Sequence, residues 1–258
     1  MECYIFFDLD GTIFDSSSSK VPDNTIKLLK LLKNKDGYHL GLATGRGPAK
    51  LNVISEILDL FEYVITFNGA FVKFRDKVIY DEPLPRSFVS LFRAKLVDKD
   101  FSYGLVSLDK EYVNRLDDKV TYNINTIKNI SPIILDNKKF NEKCYQMWVF
   151  PDSEIEVKEL IKDYKRITYY NWITGGYDIC LKNIGKEKAI ATCLKGIKDY
   201  KLITVGDGTN DIKMLKMADI GILIPNSKND SLLGITKYHA RGIKEDKLLD
   251  YFKELKII

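Results

Sequence analysis

The stretch Cys3-Tyr4-Ile5-Phe6-Phe7-Asp8-Leu9-Asp10-Gly11-Thr12 decides how the rest of the chain reads. Its first half is apolar, aromatic and branched, the pattern of a buried β-strand. At Asp8 and Asp10 the chemistry turns from oily to anionic. Side chains alternate along a strand, so two carboxylates two residues apart at its carboxyl end can point the same way. That end is where open α/β sheets place their ligands. Carboxylates held so close repel one another unless a divalent cation, or a reaction, keeps them there. A second acidic group follows another apolar strand, in Val205-Gly206-Asp207-Gly208-Thr209-Asn210-Asp211.

Working outward, apolar strands alternate with amphipathic helices. Pro22-Asp23-Asn24 opens a helix with Ile26, Leu29 and Leu32 on one face. A strand over 38–43 ends in Thr44-Gly45-Arg46, and Pro48 starts a helix carrying Leu51, Ile54 and Leu58. A strand over 63–67 ends in Asn68-Gly69. This alternation predicts an α/β fold with a doubly wound parallel sheet. The rhythm then changes: 70–74 and 78–81 flank Arg75-Asp76 as a hairpin. An inserted α+β domain is expected over 83–176, with helices at 86–97 and 153–162 and strands at 103–108, 144–150 and 166–172. The core domain is expected over 1–82 and 177–258, with 81–85 and Thr174-Gly175-Gly176 as candidate hinges, although the glycines there could equally serve a turn. It resumes with a strand over 177–181, a loop through Gly185, and a helix over 186–194. A strand over 202–205, a helix over 212–218, a strand over 220–224 and a last helix over 247–255 complete it. The run Ser16-Ser17-Ser18-Ser19 reads as a flap beside the acidic strand end.

Composition narrows the function. The net charge of +4 comes from 40 basic and 36 acidic residues spread evenly, which offers no clustered basic face and argues against a nucleic-acid partner. No run of about 18 apolar residues suggests a membrane segment. The cysteines, Cys3, Cys144, Cys180 and Cys193, show no CxxC spacing and are expected reduced and packed, in a cytoplasmic protein. His39 lies in an apolar strand and His239 in a polar tail, so a histidine-based mechanism is not expected. Tyr103, Trp148, Tyr169, Tyr170 and Trp172 read as strand core, with a minority free to line a pocket.

Asp8-Leu9-Asp10-Gly11-Thr12, Thr44-Gly45-Arg46, a lysine at 186 and Gly206-Asp207-Gly208-Thr209-Asn210-Asp211 occur in that order. Together they resemble the haloacid dehalogenase superfamily of phosphohydrolases, most closely its Cof-type subclass. The resemblance implies a Rossmann-like core with a cap that closes over it, excludes water and chooses the substrate. It implies that Asp8 is the nucleophile, forming an aspartyl-phosphate. Asp10 then protonates the departing alcohol and deprotonates the attacking water, which favours phosphoryl transfer over dehalogenation. Lys186, in Gly185-Lys186-Glu187-Lys188-Ala189, matches the family's cation better than Lys182 or Lys188. Mg²⁺ would be held by Asp8, Asp207, Asp211 and the Asp10 backbone carbonyl.

The implied phosphate-binding set is Leu9, Thr44, Gly45, Arg46, Lys186 and Asn210. Thr44 would donate to a phosphate oxygen together with N–H groups of the helix start after it. The role of Arg46 stays open, and Asn210 can be a phosphate-side residue, a helix N-cap, or both. Where Cof-type relatives carry a small-residue stretch ending in Asn-Ala, this chain has Gly221-Ile222-Leu223-Ile224-Pro225-Asn226-Ser227. That departure leaves a sugar-acid phosphatase relative open and is expected to leave the catalytic groups untouched. The function implied is a Mg²⁺-dependent phosphatase acting on a small phosphorylated metabolite such as a sugar phosphate. The alternatives are a phosphotransferase or phosphomutase using the same intermediate, or a non-catalytic metabolite sensor, which would need no nucleophile.

Overall fold

Glu2–Phe7 forms strand β1, and its unbroken apolar run follows from burial on both faces. Cys3, Ile5 and Phe7 pack into one layer of the core, Tyr4 and Phe6 into the other. The structure, a computed structural model, describes residues 1–126, 131–135, 140–172, 175–226 and 230–258; Thr174 and Ser227 lie outside them.

Four strands follow β1 in the first half: β2 (Tyr38–Ala43), β3 (Tyr63–Thr66), β4 (Phe71–Phe74) and β5 (Lys77–Asp81). The middle of the chain carries β6 (Tyr103–Val106), β7 (Glu111–Val113), β8 (Ile133–Ile134), β9 (Gln146–Val149), β10 (Ile167–Asn171) and β11 (Tyr177–Leu181). The last are β12 (Tyr200–Gly206), β13 (Ile220–Leu223) and β14 (Tyr238–His239). The helices are α1 (Asp23–Lys33), α2 (Arg86–Asp98), α3 (Asp118–Thr126), α4 (Glu154–Ile161), α5 (Lys186–Cys193), α6 (Ile212–Met217) and α7 (Leu248–Glu254).

The chain divides into two units, one of Met1–Arg46, Leu51–Asp81 and Gly185–Ile258, the other of Gly47–Lys50 and Glu82–Ile184. The first holds an eight-stranded sheet in the order β14-β13-β12-β1-β2-β3-β4-β5. Its strands are parallel from β14 to β3, and the β4–β5 hairpin closes the edge antiparallel. Leu28, Leu29 and Leu32 of α1 and Leu248, Leu249 and Phe252 of α7 cover one face. Ala189, Ile190 and Cys193 of α5 and Met214 of α6 cover the other. This is the doubly wound α/β core that the alternating pattern predicts.

The second unit holds a six-stranded sheet, β10-β11-β9-β6-β7-β8, antiparallel except for the β7–β8 pair. Here two expectations change. Tyr177–Leu181 pairs with β10 and β9 rather than returning to the core, so the core resumes at Gly185 and not at residue 177. Gly175-Gly176 is therefore no hinge. It is the turn of the β10–β11 hairpin, where Trp172 N–H donates to the Gly176 carbonyl at 2.7 Å. The segment after Pro48 also differs. Pro48–Ile54 is a 3₁₀ helix that buries only Leu51 and Ile54. The elements β7, α3, β8 and β14 were not anticipated; each is short or weakly patterned.

All four cysteines are free and buried. His39 sits in β2 between Glu2 and Glu62 and stacks on Tyr4, a packing role, and His239 bonds the Thr236 carbonyl. Among the described residues no helix is long and apolar enough to cross a membrane.

One buried acid in the second unit makes stability depend on pH. Burial pushes Asp178 up to about 7, with the Glu111 charge adding and the side chains of Trp172 and Trp148 opposing by hydrogen bonds. Between the ordinary value and that one, the native state holds a proton the unfolded chain has released, so stability falls as pH rises through this window. Asp178→Asn removes that contribution. Melting curves from pH 4 to 8 should show the variant gaining on the wild type as pH rises, by on the order of 5 °C. A constant gap would refute it.

Candidate active site

The parallel strands β1, β12, β2 and β3 end side by side, which gathers Asp8, Asp207, Thr44 and Asn68 at one edge of the sheet. Carboxylate oxygens of Asp8, Asp207 and Asp211 lie within 4.8 Å of one another. Lys186 opens α5 and is 1% exposed. Its Nζ donates to Asp8 Oδ1 at 2.5 Å and to Asp211 Oδ1 at 2.6 Å. One ammonium cannot balance three carboxylates. Burial lifts Asp8 and Asp207 above the ordinary carboxylate range; the neighbouring acids add to it, and Lys186 opposes it. Burial disfavours the charged amine of Lys186, but the Asp211 and Asp8 charges outweigh that and raise its pKa. An all-oxygen donor set with excess buried negative charge suits a hard divalent cation.

Local sequence explains the convergence. Gly11 has φ +78°, and a Cβ there would fall 2.3 Å from Asp207 Oδ2, so glycine is what lets the two motifs meet. Asp211 is fully buried, and its Oδ2 accepts the N–H groups of Asp207 at 3.1 Å and Gly208 at 2.8 Å. Both of its oxygens thus have protein donors, and it pins the acidic loop while orienting Lys186.

Asp10 stands apart from the other acids. Its carboxylate receives Arg46 Nε at 2.8 Å, Arg46 Nη2 at 2.6 Å and Ser16 Oγ at 3.1 Å. The guanidinium also lies over the Phe14 ring, 5.2 Å from its centre. Such a two-point fork is strong and directional. The Asp10 side chain is therefore not in the convergent carboxylate group, and two nitrogens of Arg46 are held on Asp10.

Of the expected phosphate set, Thr44 is 1% exposed and its Oγ1 accepts the Arg46 N–H at 3.1 Å, which leaves its hydroxyl hydrogen to donate. The Leu9 side chain is fully buried, so Leu9 can serve only through its backbone. Gly45 lies against the side chain of Asn68. Asn210 is not an N-cap: its Nδ2 donates to Asn68 Oδ1 at 3.0 Å, and Asp211 precedes α6. Two residues escaped the motif reading. Asn226 Nδ2 donates to Asp207 Oδ2 at 2.8 Å, so the segment after β13 does touch an expected metal ligand. The position of Asn226, one residue before Ser227 where relatives end in Asn-Ala, was the signal for it. Asn68 is the other; a polar residue at the end of a buried strand was its only mark.

The profile of the haloacid dehalogenase-like hydrolases matches residues 5–246. The chain belongs to that family. Its class within the family is that of the phosphatases, as three comparisons illustrate. A Bacillus subtilis protein named as a phosphatase, YkrA, is 26% identical over 98% of both chains. A Streptococcus pyogenes protein named as a bifunctional phosphatase and peptidyl-prolyl cis-trans isomerase is 25% identical over 98% of this chain. This chain spans only 54% of that longer protein. The crystal structure of a subclass IIB sugar phosphatase is 27% identical and superposes with a TM-score of 0.86, covering 99% of this chain and 100% of that one.

Proposed function

We propose that this chain is a Mg²⁺-dependent phosphatase that hydrolyses a small phosphorylated metabolite, a sugar phosphate or a similar compound, through a phosphorylated Asp8. The observation that carries the reading is a buried carboxylate, Asp8, paired with Lys186 at 2.5 Å inside a cluster of three acids. Simple binding of a metabolite gives no reason to bury such excess charge. Mg²⁺ held by Asp8, Asp207 and Asp211, with the Asp10 carbonyl, would neutralise charge developing on the phosphoryl group. Asp8 attacks phosphorus, and Lys186 holds its oxygen in place beside Asp211. Thr44, Asn210 and the Leu9 backbone donate to the phosphoryl oxygens. Asp10 gives a proton to the leaving oxygen and later takes one from water. The inserted unit selects the leaving group, and the resemblance to a sugar phosphatase supports a polyhydroxylated one.

Inorganic phosphate release across a panel of phosphorylated metabolites, with Mg²⁺ and with EDTA, tests this. Metal-dependent release from one or a few compounds is expected. Transfer to a second sugar with no net phosphate release would favour a phosphotransferase or phosphomutase, and silence across the panel would sink hydrolysis.

The Arg46 fork adds a second expectation. Asp10 matters most when the leaving group is a poor one, so a residue that orients it should discriminate by leaving group. Arg46→Ala should lower kcat/KM about 100-fold on alkyl phosphates and less than about tenfold on p-nitrophenyl phosphate. Arg46→Lys, which keeps the charge without the fork, should restore little. Equal losses on both substrates, rescued by lysine, would make Arg46 a phosphate binder instead.

A further inference from the structure

Beyond β3 the backbone makes a turn that few side chains favour. Phe67, Asn68 and Gly69 have φ of +52°, +54° and +108°. Left-handed backbone is tolerated by glycine and asparagine and disfavoured for phenylalanine. Hydrogen bonds to the neighbouring motif hold the turn: Phe67 N–H donates to the Arg46 carbonyl and Asn68 N–H to the Thr44 carbonyl, each at 3.0 Å. The shape of this turn is therefore tied to Thr44-Gly45-Arg46.

The turn places the Asn68 side chain against Gly45, where a Cβ would lie 3.2 Å from Asn68 Nδ2 and 3.3 Å from its Oδ1. Any larger residue at 45 would press on this amide. Asn68 Oδ1 accepts Asn210 Nδ2 at 3.0 Å. Asn68 is 2% exposed, yet among the described residues its Nδ2 donates to no protein acceptor. It is not sealed in either, since among the described residues Thr12 Oγ1 is the one enclosed side-chain polar atom without a partner. A nearly buried donor without an acceptor is costly unless something else supplies one. Here the donor lies beside Gly45, on the amide whose oxygen accepts Asn210.

We propose that Asn68 is a further binding residue of the phosphoryl site: its Nδ2 donates to a phosphoryl oxygen while its Oδ1 holds Asn210. The assignment rests on the phosphatase reading above. The competing account is purely conformational, with asparagine present because it tolerates the left-handed turn. Glycine would serve that purpose equally well, and the conformational account leaves the unpaired donor and the contact to Asn210 unexplained.

Two variants separate these accounts. Asn68→Gly keeps the backbone and deletes the amide. Asn68→Asp keeps an oxygen for Asn210 but replaces the donor with a charge that repels phosphate. Calorimetric titration with inorganic phosphate in the presence of Mg²⁺, alongside melting temperatures, is the readout. Affinity should fall at least about tenfold in Asn68→Gly and at least about 100-fold in Asn68→Asp. If Asn68→Asp binds phosphate within about threefold of the wild type, the proposal is overturned; if that variant does not fold, the same result for Asn68→Gly overturns it. A wild type that releases phosphate while its variants bind normally defeats this proposal alone. A wild type that neither binds nor releases phosphate defeats the reading beneath it as well.

Discussion

Replacing Asp8 with asparagine should lower phosphate release by at least about 10⁴-fold while the protein stays folded. The amide matches the carboxylate in size but cannot attack phosphorus. Asp8 is 5% exposed and its pKa is raised, chiefly by burial, so the metal-free protein already disfavours its charge. A neutral group there relieves that penalty. Lys186 keeps its contact with Asp211 at 2.6 Å, so the ammonium is not left unpaired. The melting temperature of metal-free Asp8→Asn should equal or exceed that of the wild type. Phosphate assays and melting curves check both halves, with mass spectrometry excluding deamidation back to aspartate. Residual activity near that of the wild type would remove Asp8 as nucleophile. Lost activity together with unfolding would leave it only a structural role.

Lys186→Met has the opposite signature, with activity and stability falling together. The side chain is fully buried, and it is the cation shared by Asp8 and Asp211. Removing one partner of a buried ion pair typically costs about 3–5 kcal/mol, because the charge left behind has no compensation. For a chain of this size that is a drop of roughly 6–20 °C in melting temperature. Turnover should fall at least about 1,000-fold, since a charge that stabilises the transferring phosphoryl group is gone. A divalent cation can partly replace the missing positive charge. Mg²⁺ should therefore raise the melting temperature of Lys186→Met more than that of the wild type. An equal Mg²⁺ shift in both proteins would mean that the metal and the lysine do not share the same carboxylates.

Much of the core was legible from local pattern. Cys3–Phe7 is buried on both faces, and only a central strand of a two-sided sheet needs a five-residue run without a polar break. Asp8, Thr44 and Asp207 each directly follow or end such a run, which is why their gathering could be expected. The contacts of those side chains were less legible. A guanidinium can reach phosphate or acid equally well, and the Asp10 fork depends on two loops folding against one another. The neighbours of Asn226 differ from the family's usual residues, yet its own amide makes the contact to Asp207.

By itself, the sequence determined the alternation of strands and helices, the hairpin at the sheet edge, and the acids that end β1 and β12. These follow from burial and from the two-residue period of side chains, which act within a few positions along the chain. Tertiary structure alone decided which sheet received Tyr177–Leu181. Its Ile179-Cys180-Leu181 stretch satisfies either sheet, and the hydrogen-bonding partners on β9 and β10 chose between them. The pairing of Asn68 with Asn210, 142 residues apart, was decided the same way. An asparagine carries no local mark of the partner it will meet, and only the register of the folded strands brings the two amides together.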